Sequence, residues 1–138
     1  MTYDGNNIFA KILRGEIPCH KIYEDENTLA FMDVMPQTDG HCLVIPKTGS
    51  RNLFDAELAV LSVLMPVVQK IARAAQKGMN SDGCQIRQFN EEAAGQTVFH
   101  LHFHIMPMNE GAPLRSHGGK MADHAVLAEH AARIRAAL

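Results

Sequence analysis

The stretch TVFHLHFHIMP, Thr97 to Pro107, decides how this 138-residue chain is read. Histidines stand at 100, 102 and 104, and an apolar residue follows each of them. In a β-strand successive side chains point to opposite faces, so residues two apart line one face. His100, His102 and His104 then share one side, and Leu101, Phe103 and Ile105 form a dry stripe on the other. A helix would scatter the same residues around its circumference. The spacing therefore predicts a strand over 97–107 carrying a row of imidazoles. Such a row suits a metal site, a phosphate site, or a nucleophile with its supporting groups.

Length and composition narrow the field. One domain spanning 1–138 is expected, large enough to bury a core without staples. A hydrophobic fraction of 46% and a charged fraction of 20% are ordinary for a soluble protein. A net charge of −2 offers no broad basic surface, so nucleic acid is not the expected partner. The longest apolar run, Leu58 to Val68, contains Ser62 and Pro66 and is too short to span a bilayer, so no membrane partner is expected either. The N-terminal residues MTYDGNNIFAKILRGEIP hold no apolar signal core, and Cys19, Cys42 and Cys84 form no CxxC pair. Both features point to a reducing cytoplasm.

Outward from the histidine row, local patterns set out the elements. NNIFAKILRG predicts a short helix capped by Asn6 or Asn7 and stopped by Gly15. HKIYED and TLAFMDV predict two strands joined by a turn at Asp25 to Asn27, and CLVIP a buried strand ended by Pro46. Residues 55–78 predict the principal helix, with Leu61, Leu64, Val68, Ile71 and Ala75 on one face, a kink or late start at Pro66, and Gly78 at its end. GCQIRQF predicts a further strand and EEAAGQ a loop. A last helix should start at the N-cap Asp123 and bury Leu127, Ala131, Ile134 and Leu138. Strands joined by short turns, with two main helices, indicate an α+β domain built on an antiparallel sheet of about five strands.

The chemistry of the row has three readings. Three neighbouring imidazoles, each with an intrinsic pKa near ~6.5, cannot all become cationic cheaply, so the row is expected to be largely neutral or to face an anion or a metal. Three histidines are a known zinc ligand set, but three alternating positions of one strand fit a tetrahedral ion poorly. The phosphate reading gains from AAGQT just upstream, where Gly95 lets backbone N–H groups approach an anion and Gln96 and Thr97 add neutral donors. A neutral histidine beside such a phosphate can attack phosphorus and form a covalent intermediate.

HLHFHIM, together with IFAKILRGEIP, YEDENTLAFMDV, GHCLVIPK and AGQTVFH, resembles the successive blocks of the histidine-triad family of nucleotide hydrolases and transferases. The resemblance covers roughly 6–108 as a core, leaving 109–138 as a C-terminal tail and helix. It implies the histidine-triad fold. It also implies His102 as nucleophile toward an α-phosphorus, His104 as a phosphate-binding group, His100 as a support for the row, and His41 as a fourth histidine from a neighbouring strand. Asp33 would accept hydrogen bonds from ribose hydroxyls. Phe9, Ile12, Ile17, Phe31 and Val34 would form an apolar slot for the base, with Asn90, Gln96 and Thr97 beside the nucleotide or its leaving group.

The implied activity is cleavage of nucleoside 5′-monophosphate conjugates, purine phosphoramidates first and dinucleoside polyphosphates second, by a homodimer that needs no metal or other cofactor. A nucleotide-binding module with little turnover and a metal-dependent hydrolase remain as alternatives. The sequence also departs from the family pattern. Many relatives carry a zinc-binding cysteine pair flanking the IF of the first block, where this chain has Asn7 and Ala10. A histidine is frequent shortly after PK, where Thr48 and Gly49 stand, and Phe89 and Glu91 fall at asparagine and glycine places of the loop. His20, His117, His124 and His130 carry no motif and are read as surface residues.

Overall fold

A computed structural model describes residues 2–116 and 120–138; His117 lies outside the described residues. The elements follow in the order α1 (Ile8–Leu13), β1 (Lys21–Glu24), β2 (Thr28–Met32), β3 (Cys42–Pro46), α2 (Leu58–Gly78), β4 (Gly83–Arg87), a single 3-10 turn (Glu92–Ala94), β5 (Phe103–Met108) and α3 (His124–Ala136). The strands form one antiparallel sheet in the order β1-β2-β3-β5-β4. This is the expected α+β architecture. The β1–β2 turn is tied by Asp25, whose Oδ1 accepts the backbone N–H groups of Asn27 and Thr28.

Helices cover both faces of the sheet, which is why β2 and β3 are buried along their whole length. Register sorts their side chains. Ala30 opposite Val44 and Met32 opposite Cys42 face the main core, where they meet Leu64, Val68, Ile71 and Ala75 of α2 and Leu127, Ala131 and Ile134 of α3. Leu29 opposite Ile45 and Phe31 opposite Leu43 face the other way, into a smaller cluster with Phe9 of α1. Burying apolar surface on both faces removes the polar/apolar alternation of a half-exposed strand.

α1 is capped by Asn7, whose Oδ1 accepts the Ala10 N–H at 2.9 Å, and α3 by Asp123, which does the same for Ala125. α2 begins at Leu58 rather than at Asp55, because the Asp55 carboxylate is occupied with the N–H groups of Arg51 and Asn52. It runs unbroken through Pro66, so the late start expected at that residue does not occur. The helix is long and apolar enough to cross a membrane by length and composition, but its inner face is the centre of the main core. Gly78 does more than end it. A Cβ there would lie 2.7 Å from the Arg133 carbonyl oxygen, so the missing side chain lets α3 cross closely.

Two further expectations are corrected. The strand expected over 97–107 is laddered only from Phe103 to Met108. The chain upstream is diverted: Leu101 N–H donates to the Ser50 carbonyl, and the Pro46 carbonyl is taken by the His100 ring. Pro46 has no N–H to offer in return, so the ladder cannot extend past it. The facing of the row survives this, since Leu101, Phe103 and Ile105 all lie in the main core. Leu138, placed on the buried face of the last helix, instead stands beyond it and is half exposed.

Candidate active site

Asp33, at the end of β2, and His41, just before β3, are brought together by a tight loop. Asp33 N–H donates to the His41 carbonyl, and His41 N–H to the Thr38 carbonyl, each close to 3 Å. His104, on β5, pairs with Leu43 in register and so reaches the same face. His102 precedes it in extended chain, and the rings of His102 and His104 stand edge to face with centroids 5.0 Å apart. Phe9 of α1 packs against His102 at 4.9 Å and against Phe31 at 5.4 Å. Asp33, His41, His100, His102 and His104 are all buried.

The hydrogen bonds assign a tautomer to each ring, because a backbone N–H can only meet a lone pair and a carbonyl can only meet a proton. Gln37 N–H donates to His41 Nδ1 at 3.0 Å, so the neutral His41 ring carries its proton on Nε2. His41 Nε2 lies 2.9 Å from His104 Nδ1 and 3.4 Å from Asp33 Oδ2. The shorter contact takes the proton, which makes His104 Nδ1 the acceptor and leaves the His104 proton on Nε2. His102 Nδ1 lies 2.6 Å from the His100 carbonyl and must donate to it, which puts the His102 lone pair on Nε2. His100 Nε2–H donates to the Pro46 carbonyl at 2.8 Å. Adjacent rings in the row thus present a lone pair on His102 and an N–H on His104.

Asp33, His102 and His104 border a cavity of about 430 Å³ with an apolar lining, whereas His41 and His100 stand behind them and do not line it. Phe9, Ile12, Ile17, Phe31, Val34, Asp33, Thr97, His102 and His104 all line it. Asn90 and Gln96 do not line it. Asn90 Oδ1 accepts the Leu53 N–H, and its amide is paired with Gln88. Gln96 is buried, donates to the carbonyls of Arg51 and Val98, and accepts the Glu91 N–H. Glu91 has φ +74°, a conformation glycine adopts without strain, and its carboxylate accepts two bonds from Arg51 and one from Asn52. Phe89 stacks edge-on against His104.

Other groups at the site had no signal in the sequence. Met121 and His124, from the segment entering α3, form part of the cavity wall. His124, read as a surface residue, is exposed on one side but shares a 3.0 Å hydrogen bond with His20 on the other. Tyr3 donates its hydroxyl to His100 Nδ1. No periodic pattern links positions so far apart in the chain.

Among the described residues, the group able to hold a metal ion is Asp33, His41 and His104, whose ligand atoms lie within 4.8 Å of one another. It is not the three-histidine row weighed from the sequence.

A model of the HIT domain matches residues 14–111. The chain belongs to the HIT (histidine-triad) family. Its fold superposes on the crystal structure of a Hit-like protein from Bartonella henselae with a TM-score of 0.93 and 52% identity, covering 99% of this chain and 100% of that one. An adenylylsulfatase from Arabidopsis thaliana is 38% identical over 79% of this chain and 55% of its own length. The adenosine 5′-monophosphoramidase of Saccharomyces cerevisiae is 37% identical over 79% of this chain and 66% of its own.

Burial pushes the His100 imidazole down from an ordinary 6.5 to about 4; the bond to Pro46 opposes this and His102 adds to it. The unfolded chain therefore binds a proton near pH 6.5 that the folded HIT domain does not bind until near pH 4. Stability from this group is complete above 6.5 and is lost as the pH falls toward 4, by about 3 kcal/mol in all. Urea unfolding between pH 7 and 4 should show that decline. In His100→Asn, which keeps an N–H for Pro46 but cannot titrate, the decline should be shallower; an identical slope would assign it to other groups.

Proposed function

We propose that this HIT-family chain is a nucleotidyl hydrolase or transferase that cleaves nucleoside 5′-monophosphate conjugates of the purine phosphoramidate type. The observation that carries this reading is the pairing of an Nε2 lone pair on His102 with an Nε2–H on His104 in two residues that line an apolar cavity. The similarity to an adenosine 5′-monophosphoramidase and an adenylylsulfatase supports the same substrate class.

The reaction runs in two steps. The base enters the slot between Phe9, Ile12, Ile17, Phe31 and Val34, and Asp33 accepts hydrogen bonds from the ribose hydroxyls. One Asp33 oxygen already accepts the Met35 N–H, but a carboxylate has lone pairs for several donors. His102 Nε2 attacks the α-phosphorus in line, a P–N bond to the ring forms, and the bond to the leaving group breaks. His104 Nε2–H donates to the phosphoryl oxygen on which charge builds up. The leaving amine takes a proton from solvent as it departs. Water then attacks phosphorus and gives a proton back to solvent, the P–N bond to the ring breaks, the nucleoside monophosphate leaves, and His102 is regenerated with its lone pair on Nε2. His41 keeps His104 in the donating tautomer, and Thr97 lies at the cavity wall. The chemistry draws on imidazole and hydrogen-bond donors alone.

A homodimer is part of this proposal. β4 is an edge strand with Ile86 exposed, and Phe54, Leu58, Val63 and Met65 present further exposed apolar side chains on and before α2. An exposed edge with apolar neighbours supports pairing with a second copy. Sedimentation equilibrium should give twice the 15.2 kDa chain mass, and Leu58→Asp should lower it; a 15.2 kDa species at all concentrations would contradict the dimer.

Cleavage of adenosine 5′-phosphoramidate in excess chelator tests the activity. Wild-type turnover should persist, and His102→Ala should lose it by about 10³-fold or more. Turnover that needs added metal would favour a metal-dependent hydrolase using Asp33, His41 and His104. Nucleotide binding without turnover would favour a binding module.

A further inference from the structure

We propose that Tyr3 is a positioning residue for the histidine row, holding His100 so that the His100 carbonyl fixes His102. The proposal rests on the reading of His102 as nucleophile.

The Tyr3 hydroxyl donates to His100 Nδ1 at 2.7 Å, and the two rings meet edge to face with centroids 5.6 Å apart. Because His100 Nε2–H is bound to the Pro46 carbonyl, both ring nitrogens are held and the ring is fixed about its axis. The carbonyl of the same residue receives His102 Nδ1–H at 2.6 Å. A displacement of His100 is therefore passed directly to the group that sets the His102 tautomer. Losing the hydroxyl would also strand a buried acceptor, which the ring can relieve only by moving.

Two further residues serve this contact. Asn7 Nδ2–H donates to the Tyr3 oxygen at 3.1 Å, so that oxygen receives one proton and directs its own toward His100. The same Asn7 side chain caps α1, which carries Phe9 and Ile12 of the cavity wall. Gly49 admits the ring, since a Cβ there would lie 2.7 Å from it.

Asn7 and Gly49 are two of the places where the sequence departs from the cysteine and histidine pattern of its relatives. At the first of them a carboxamide stands where a zinc ion would need a thiolate. They meet instead around one tyrosine. The HIT domain match begins at residue 14, so Tyr3 and Asn7 lie outside it.

Tyr3→Phe keeps the ring and removes only the hydroxyl. On adenosine 5′-phosphoramidate it should lower kcat about tenfold with KM nearly unchanged, the size expected for losing one hydrogen bond on a positioned group. The His100 Nδ1 resonance should also move in a ¹⁵N imidazole spectrum. Gly49→Ala keeps the hydroxyl but displaces the ring, and should reproduce the loss of kcat. The double variant should be no worse than the more impaired single one. Wild-type kcat together with an unmoved His100 resonance in Tyr3→Phe would overturn the proposal. If the wild-type protein does not cleave the substrate, the functional reading fails alone. The His100 resonance then decides the role of Tyr3, a shift supporting it and none refuting it.

Discussion

The hydrogen bond from His102 Nδ1–H to the His100 carbonyl, 2.6 Å long, is the constraint on which the site depends. A neutral imidazole has one proton and two nitrogens, and the nitrogen without the proton is the one that can act as nucleophile or acceptor. With Nδ1 committed to a carbonyl, that nitrogen is Nε2. The same logic, run from the Gln37 N–H through His41 to His104, gives the neighbouring ring the opposite polarity. Two adjacent histidines of identical chemistry thus become an acceptor and a donor. No difference in residue type brings this about, only a difference in what each Nδ1 meets, a backbone carbonyl for His102 and the His41 Nε2–H for His104.

The fold makes that assignment durable by separating two jobs across the sheet. One face carries the main core beneath α2 and α3, and the other carries α1 with the cavity. Alternation along β5 and the extended chain before it sends Leu101, Phe103 and Ile105 to the first face and the histidines to the second. Packing of the apolar set therefore fixes the height of the imidazoles, and a one-residue slip would exchange the two sets. Burial does the rest. It keeps His100 neutral across the range in which a solvated histidine titrates, so its hydrogen-bond pattern does not change there.

Much of this was legible from residue patterns. The alternation at 100–105 gave the facing of the row, the continuous apolar character of CLVIP gave a strand covered on both sides, and Asn7, Asp25 and Asp123 marked caps and a turn by their side-chain chemistry. What stayed hidden depended on contacts between distant segments. Nothing local reveals that Ser50 and the Pro46 carbonyl divert the chain before Phe103, that Gln96 serves the loop around Arg51, or that Met121 and His124 return to the cavity wall. Glu91 is instructive in another way. Its φ of +74° suits the glycine of the family pattern, and its carboxylate is bound by Arg51 and Asn52.

Long-range ¹H–¹⁵N correlation of the histidine side chains near pH 7 reads the polarity of the His102–His104 pair. His102 should be protonated on Nδ1 with a lone-pair shift at Nε2, and His104 and His41 should be protonated on Nε2. A His102 ring protonated on Nε2, or a His104 ring protonated on Nδ1, would contradict it.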